Sequence, residues 1–290
     1  MAIKLAFLCV IIIWSTTPLG LKWSGEDVGF LFGVTARMIL GVVVSALVMI
    51  AMRHSLSLHR KAIRAYIASG VGIYLAMLFA YWSASYIPSG WIAVIWGTSP
   101  VFAGIFGSIV LGEKAFTFHR IIGVVAGLIG LVIIFLQGVS VSEYTMLGVI
   151  LALVGMLSQV STAVWIKQIK ADLPGIVMTT GGLAVSIPLF IITWWIFDGV
   201  LPEVIPVRVA GSIIYLAIMG SVLGFSLYFY LLNHVEASKV SLITLITPVL
   251  ALLLGHWLNN EALTLWVYIG TALILSGLVS YQFGEKLFKK

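Results

Sequence analysis

Arg37, Gln159, Trp96 and the hydroxyls of Thr98, Ser99, Thr244 and Thr247 are polar or aromatic side chains set in otherwise apolar stretches of sequence. They form no nucleophile-and-base arrangement, and no cluster of His, Cys and carboxylates has metal-ligand spacing. A phosphate-binding glycine loop is also missing, so ATP-driven work within the chain is not expected. No catalytic residue, metal site or cofactor is therefore predicted. What these groups can do is recognise a solute without covalent change. Arg37 is the one charge placed deep in an apolar stretch, where charge is costly and normally faces protein or water. It can hold a carboxylate, or it can brace helix ends through backbone carbonyls. The Gln159 amide has donors and acceptors that need partners. The hydroxyls can serve a solute or tie helices together. Trp96 shares a helical stripe with Ile92 and Pro100, because residues four apart share a face. It lies far from either end of its stretch, so interfacial anchoring does not explain it. Cavity lining and helix packing are its two readings.

The elements that position these groups follow from composition. The 290 residues are 61% hydrophobic and 9% charged, against about 25% charged in a soluble domain. The apolar runs are continuous and approach the ~20 residues that span a bilayer as a helix. They lack the two-residue alternation of a membrane β-barrel. Ten spans are predicted, over 3–21, 28–52, 63–84, 89–111, 118–136, 145–167, 176–197, 209–232, 238–258 and 264–283. The first resembles a signal peptide but lacks a small-x-small cleavage site. With the N-terminus in the cytoplasm, 13 basic residues fall inside and only Lys22 and Arg208 outside, which is the bias of short cytoplasmic loops. The net charge of +6 thus reports topology, and no nucleic-acid partner is expected. Cys9 is the single cysteine, so no disulfide can form within the chain. Trp23, Trp91, Trp194, Trp195, Trp257 and Trp266 lie near span ends and are read as interface anchors.

The two halves repeat. Pro100 precedes Leu111-Gly112-Glu113, and Pro248 precedes Asn259-Asn260-Glu261, with a Pro-to-Glu spacing of 13 in both. Each glutamate is followed by a glycine-bearing helix, with Gly123, Gly127 and Gly130 in one half and Gly270 and Gly277 in the other. Those glycines suit close packing, within one chain or across a dimer. Five spans per half is an odd number, so the second copy enters the membrane inverted, as in many secondary transporters. The domains are expected at 1–140 and 141–290. Pro100 and Pro248 are expected to bend their helices as hinges or static kinks. Glu113 and Glu261 are read as structural carboxylates favoured by the N-terminus of the next helix.

This pattern resembles the drug/metabolite transporter superfamily, specifically its ten-helix EamA-type exporters. The resemblance runs from Leu5 to about Phe283. It rests on Trp14-Ser15, the Arg37 region, Pro100 with Glu113, the stretch from Gly220 through Tyr228 to Pro248, and Glu261. Where the family often has glycine before the final glutamate, this chain has Asn260. The resemblance implies an all-α integral membrane protein, ten helices in two inverted repeats with both termini cytoplasmic, in a bacterial inner membrane. It implies a cavity whose candidate lining here is Trp14, Ser15, Tyr81, Trp96, Thr98, Ser99, Gln159, Tyr228, Thr244 and Thr247. It favours the bracing role for Arg37, since the family often carries arginine there whatever its substrate. The expected function is export or exchange of small metabolites by alternating access, and the expected partners are a small-molecule substrate and the bilayer. With no carboxylate deep in a span, the cavity suits neutral or zwitterionic solutes, amino acids (aromatic ones included) or drug-like molecules. The chain is expected to act as a monomer or homodimer. The competing readings are a membrane enzyme acting on lipid and a non-transporting scaffold.

Overall fold

The computed structural model describes residues 2–112, 118–137, 143–234 and 243–287; Glu113 and the side chain of Thr244 fall outside the described residues. Among the described residues all regular structure is helical. The helices are α1 (Ala2–Gly25), α2 (Phe30–Ala51), α3 (Arg60–Ala84), α4 (Ser89–Gly97), α5 (Ser99–Leu111), α6 (Phe118–Gln137), α7 (Glu143–Ile169), α8 (Gly175–Phe197), α9 (Val207–Tyr215), α10 (Phe225–His234), α11 (Ile243–Asn259) and α12 (Leu265–Leu287). A π-helical segment, Leu216–Gly224, joins α9 to α10. Seven helical stretches are long and apolar enough to cross a membrane, and three shorter apolar ones lie at Ile121–Ile134, Ile246–Asn259 and Leu265–Tyr281. Helices are the form in which such residues satisfy their backbone groups without water. Proline sets several starts: Pro88, Pro174 and Pro206 occupy the caps of α4, α8 and α9, where a missing N–H is harmless.

The helices pack in pairs. α3 lies against α7 and α8, α2 against α8, α4 and α1 against α11, and α6 against α12. The glycine faces are consumed within one chain. A Cβ placed on Gly130 would stand 2.6 Å from the Gly270 carbonyl oxygen, and one on Gly277 would stand 2.6 Å from that of Gly123. The α6–α12 pair therefore approaches backbone to backbone, as small residues allow in membranes.

Three expectations change in detail. The stretch over 89–111 is broken: α4 stops at Gly97, Thr98 caps it with Oγ1 donating to the Ile95 carbonyl at 2.6 Å, and Pro100 lies in the first turn of α5. Pro248 instead lies inside α11, where it removes a hydrogen bond to the carbonyl four residues back. The two prolines thus act differently. Trp91 is 3% exposed and packs in a core cluster with Ile92, Ile95 and Leu252, so it is no interface anchor. Trp195 and Trp257 are well exposed on the outer surface of the bundle.

Candidate functional site

Three helices enclose a small cavity of about 30 Å³. Ser69 and Ile73 of α3 form one wall, Gln159, Thr162, Ala163 and Ile166 of α7 another, and Phe225, Tyr228 and Phe229 of α10 the third. The α7 wall is one helix face, since its residues recur at intervals of three and four. No lining residue carries a charge. Two of the lining residues carry a polar atom buried without a hydrogen-bond partner, Gln159 Oε1 and Ser69 Oγ, the latter close to Gly182 of α8; Ser226 Oγ on α10 is also unpartnered. Buried polar groups nearly always have partners, so an unmet set around one cavity marks where a solute or water can bind. The volume holds about one water molecule.

The sequence-derived candidates distribute unevenly around it. Gln159 and Tyr228 are on its walls. Trp14 backs Tyr228, with ring centroids 5.0 Å apart. Trp96 is half-buried where two core clusters meet, with Nε1 lacking a partner. Ser15 is spent within its own helix, its hydroxyl donating to the Ile11 carbonyl at 2.6 Å. Thr98 is likewise occupied as a cap, Ser99 opens α5, and Thr247 is buried on α11. The sequence reading missed Ser69, Thr162 and Phe225. The polar stripe Gln159–Thr162 on one face of α7 was the available signal.

Beyond the cavity, along α3, comes an apolar layer of Met38, Met77 and Leu183, and then Arg37. The arginine is 1% exposed. Its Nε donates to Ser221 Oγ at 3.1 Å, its guanidinium lies 5.8 Å from the Tyr81 ring centre, and Nη1 has no partner. No backbone carbonyl among the described contacts takes its protons, so the brace it makes is to a hydroxyl on the π segment. π-helical turns recur at functional sites. Gly220 packs closely there: a Cβ would stand 3.1 Å from Arg37 Nη2, so the guanidinium would have to give by a few tenths of an ångström. Tyr81 is 1% exposed and its hydroxyl accepts from Ser24 Oγ at 3.1 Å.

Past Tyr81 four helix ends meet in a polar cluster. The Glu261 carboxylate, just after α11, accepts from the backbone N–H of Ser89 (2.9 Å) and Gly90 (3.2 Å) in the first turn of α4. It also accepts from Asn259 Nδ2 (3.1 Å), and Lys22 Nζ at the end of α1 is 3.6 Å away. Asn259 Oδ1 accepts from Trp23 Nε1 and from Arg208 Nη2, both at 3.0 Å. Arg208 lies 4.2 Å over the Trp23 ring and 3.7 Å from Glu26. Glu261 therefore caps α4, across the bundle, and not the helix that follows it. The turn that aims it is left-handed at Asn260, φ +51, closed by Glu261 N–H donating to the Gly255 carbonyl at 3.1 Å. That conformation suits glycine best and asparagine next, which accounts for asparagine at this place. Among the described residues no three His, Cys, Asp or Glu side chains gather to hold a metal ion.

The model of the EamA-like transporter family matches residues 1–136 and again 146–281. The chain is 26% identical over 286 residues to the uncharacterized transporter YoaV of Bacillus subtilis, covering 97% of each. It is 24% identical over 207 residues to an Escherichia coli protein named as a probable amino-acid metabolite efflux pump, covering 68% of this chain and 69% of that one. A solved crystal structure superposes with a TM-score of 0.71 at 19% identity, covering 100% of this chain and 99% of that one, which speaks for the shared fold. With its apolar helices and both family matches, the chain belongs to the EamA-like transporter family and is a multi-pass membrane protein.

Proposed function

We propose that this chain is a secondary transporter of a bacterial inner membrane that exports or exchanges small neutral or zwitterionic metabolites by alternating access. Amino acids, aromatic ones included, are the favoured substrate class, and the named role of the Escherichia coli relative supports it. In this reading the seven long and three shorter apolar helices make ten crossings, arranged as inverted repeats over 1–140 and 141–290. The left-handed residues Gly112 (φ +69) and Asn260 (φ +51), each just before a glutamate at matching places in the halves, support the repeat.

The observation that carries the reading is the uncharged cavity between α3, α7 and α10, with Gln159 Oε1 and Ser69 Oγ buried and unpaired beside Tyr228. Amide and hydroxyl groups can bind the polar end of a solute while Ile73, Phe225 and Phe229 cover its apolar part. The cavity holds about 30 Å³, a small fraction of the ~300–1,000 Å³ of ligand sites. Loading therefore requires the three helices to part, which is the motion alternating access supplies. Trp96 at the junction of the two core clusters and the Pro100 break are proposed to line and to flex this path.

Purified protein in liposomes, screened with radiolabelled neutral amino acids with and without a pH gradient, tests the proposal. Saturable uptake is expected, and Trp96→Ala is expected to lose most of it while inserting normally. Absence of flux for every amino acid, nucleoside and drug tried, from well-inserted protein, refutes the reading.

A further inference from the structure

Lys22 and Arg208 are the two basic residues that fall on the outer side of the topology set by 13 inner ones. The structure occupies both. Lys22 faces Glu261 at 3.6 Å, and Arg208 faces Glu26 at 3.7 Å while donating to Asn259. The exceptions to the charge bias are thus members of a single cluster, and their acidic partners lie on the same side. That cluster ties α1 and α4 of the first half to α9 and α11 of the second.

Its position relative to the cavity is fixed along two elements. On α3 the order is Ser69 and Ile73 at the cavity, Met77 in the apolar layer, then Tyr81 against Arg37, with Ser89 in the cluster beyond the turn. Ile73 to Tyr81 alone is a rise of about 12 Å. In the second half the order is Phe229 and Phe225 at the cavity, Ser221 on Arg37, then Arg208 in the cluster. The cavity therefore lies in the half of the bundle that carries the basic loops, and the cluster closes the opposite end.

We propose that Glu261 is the positioning residue of an outer gate. Its carboxylate holds the first turn of α4 against the ends of α1 and α11, and its release lets the cavity face the outside. The purpose of such a gate rests on the transporter reading above, but its geometry does not need a solute. Three features suit the role. The contact is concentrated: one carboxylate meets two backbone N–H groups, an amide and an ammonium, and charge-assisted bonds are the strong ones. It is all-or-none, because the Glu261 side chain is 6% exposed and a half-paired buried carboxylate is unfavourable; gates need such bistable contacts. Finally, every partner is at a helix end, so the halves can part there without unwinding a helix.

The test uses membrane vesicles and a cysteine reporter. In a Cys9→Ser background, Ile73→Cys on the cavity wall is labelled with a membrane-impermeant maleimide, in right-side-out and in inside-out vesicles. Glu261→Ala is expected to raise the outside rate at least about tenfold, equivalent to ~1.4 kcal/mol, and to lower the inside rate. Glu261→Gln keeps an oxygen acceptor but loses the charge, and should fall between. Lys22→Ala removes one partner only and should shift both rates the same way, less strongly; with Glu261→Gln it carries the test if Glu261→Ala fails to insert. Opposite changes at the two faces report a population shift, whereas a purely structural role raises both or neither. Unchanged outside labelling, or a rise at both faces, overturns the proposal. Labelling that shifts as expected in a protein that moves no solute sustains the gate and sinks the transport reading; solute flux with unchanged labelling does the reverse.

Discussion

Gln159 is held in the cavity wall with its Oε1 buried and unbonded. An unpaired buried acceptor costs about 1–3 kcal/mol. Leucine has similar reach, removes the acceptor, and adds apolar contact on a wall shared with Ile73 and Phe225. Gln159→Leu should therefore stabilise the solute-free protein. The gain should be near the lower end, roughly 1 kcal/mol, because a cavity this size can hold a water that meets part of the amide's need. In a chain of this length that is a rise of about 2–4 °C in Tm. The same change removes a hydrogen-bonding group from the solute path, for a loss of about 1–3 kcal/mol in recognition, or roughly fivefold to 150-fold in kcat/KM. Thermal unfolding in detergent, followed by tryptophan fluorescence, reads the first effect and liposome uptake reads the second. A variant that loses stability and keeps its flux would refute the reasoning, since Gln159 would then be serving the fold and not a solute.

Ser221→Ala strips the acceptor from Arg37 Nε at a site where the arginine is 1% exposed, and should cost about 1–3 kcal/mol in thermal unfolding. Adding Arg37→Met removes the stranded charge and should recover much of that loss, since apolar replacement of a buried ionic group is often tolerated; no recovery in the double variant would mean Arg37 has partners beyond Ser221. Gly130→Val forces a Cβ to within 2.6 Å of the Gly270 carbonyl and should destabilise by about 1–3 kcal/mol, while flux per folded molecule, measured after reconstitution, stays near parental because α6 and α12 do not line the cavity. Pro100→Ala removes no hydrogen bond from the first turn of α5 and should change stability by less than about 1 kcal/mol; uptake should nevertheless fall, and unchanged uptake would make the break at Thr98 a static feature.

The helical, multi-pass character was legible because lipid imposes a single solution on long apolar runs. The break at Thr98 was harder. Proline at position 100 predicts an irregularity, but whether it bends a helix or starts a new one depends on where the preceding turn ends, which packing against α11 and α7 decides. Gln159 stood out as an amide in an apolar span, and Tyr228 through its place in the family-like stretch. Ser69 did not stand out, because one hydroxyl beside Gly70 reads as ordinary helix packing until α7 is placed opposite it. Trp91 was misjudged for a related reason: nearness to a span end suggests the interface, but α11 covers that end. The target of Glu261 was the least legible of all. A carboxylate before a helix reads as a local cap, whereas its partners at Ser89, Gly90 and Lys22 are brought to it only by the folded bundle. The trace left in the sequence was Lys22 and Arg208, the two basic residues that depart from the predicted charge bias.

The most direct test of a carrier with a cavity between moving halves is counterflow. Liposomes containing the protein are loaded with unlabelled neutral amino acid and diluted into a trace of the same labelled solute, with no ion gradient imposed. An alternating-access carrier predicts transient accumulation of label above equilibrium, abolished by Trp96→Ala and sharply reduced by Gln159→Leu. Label that merely equilibrates, at a rate indifferent to the internal solute, would contradict a carrier.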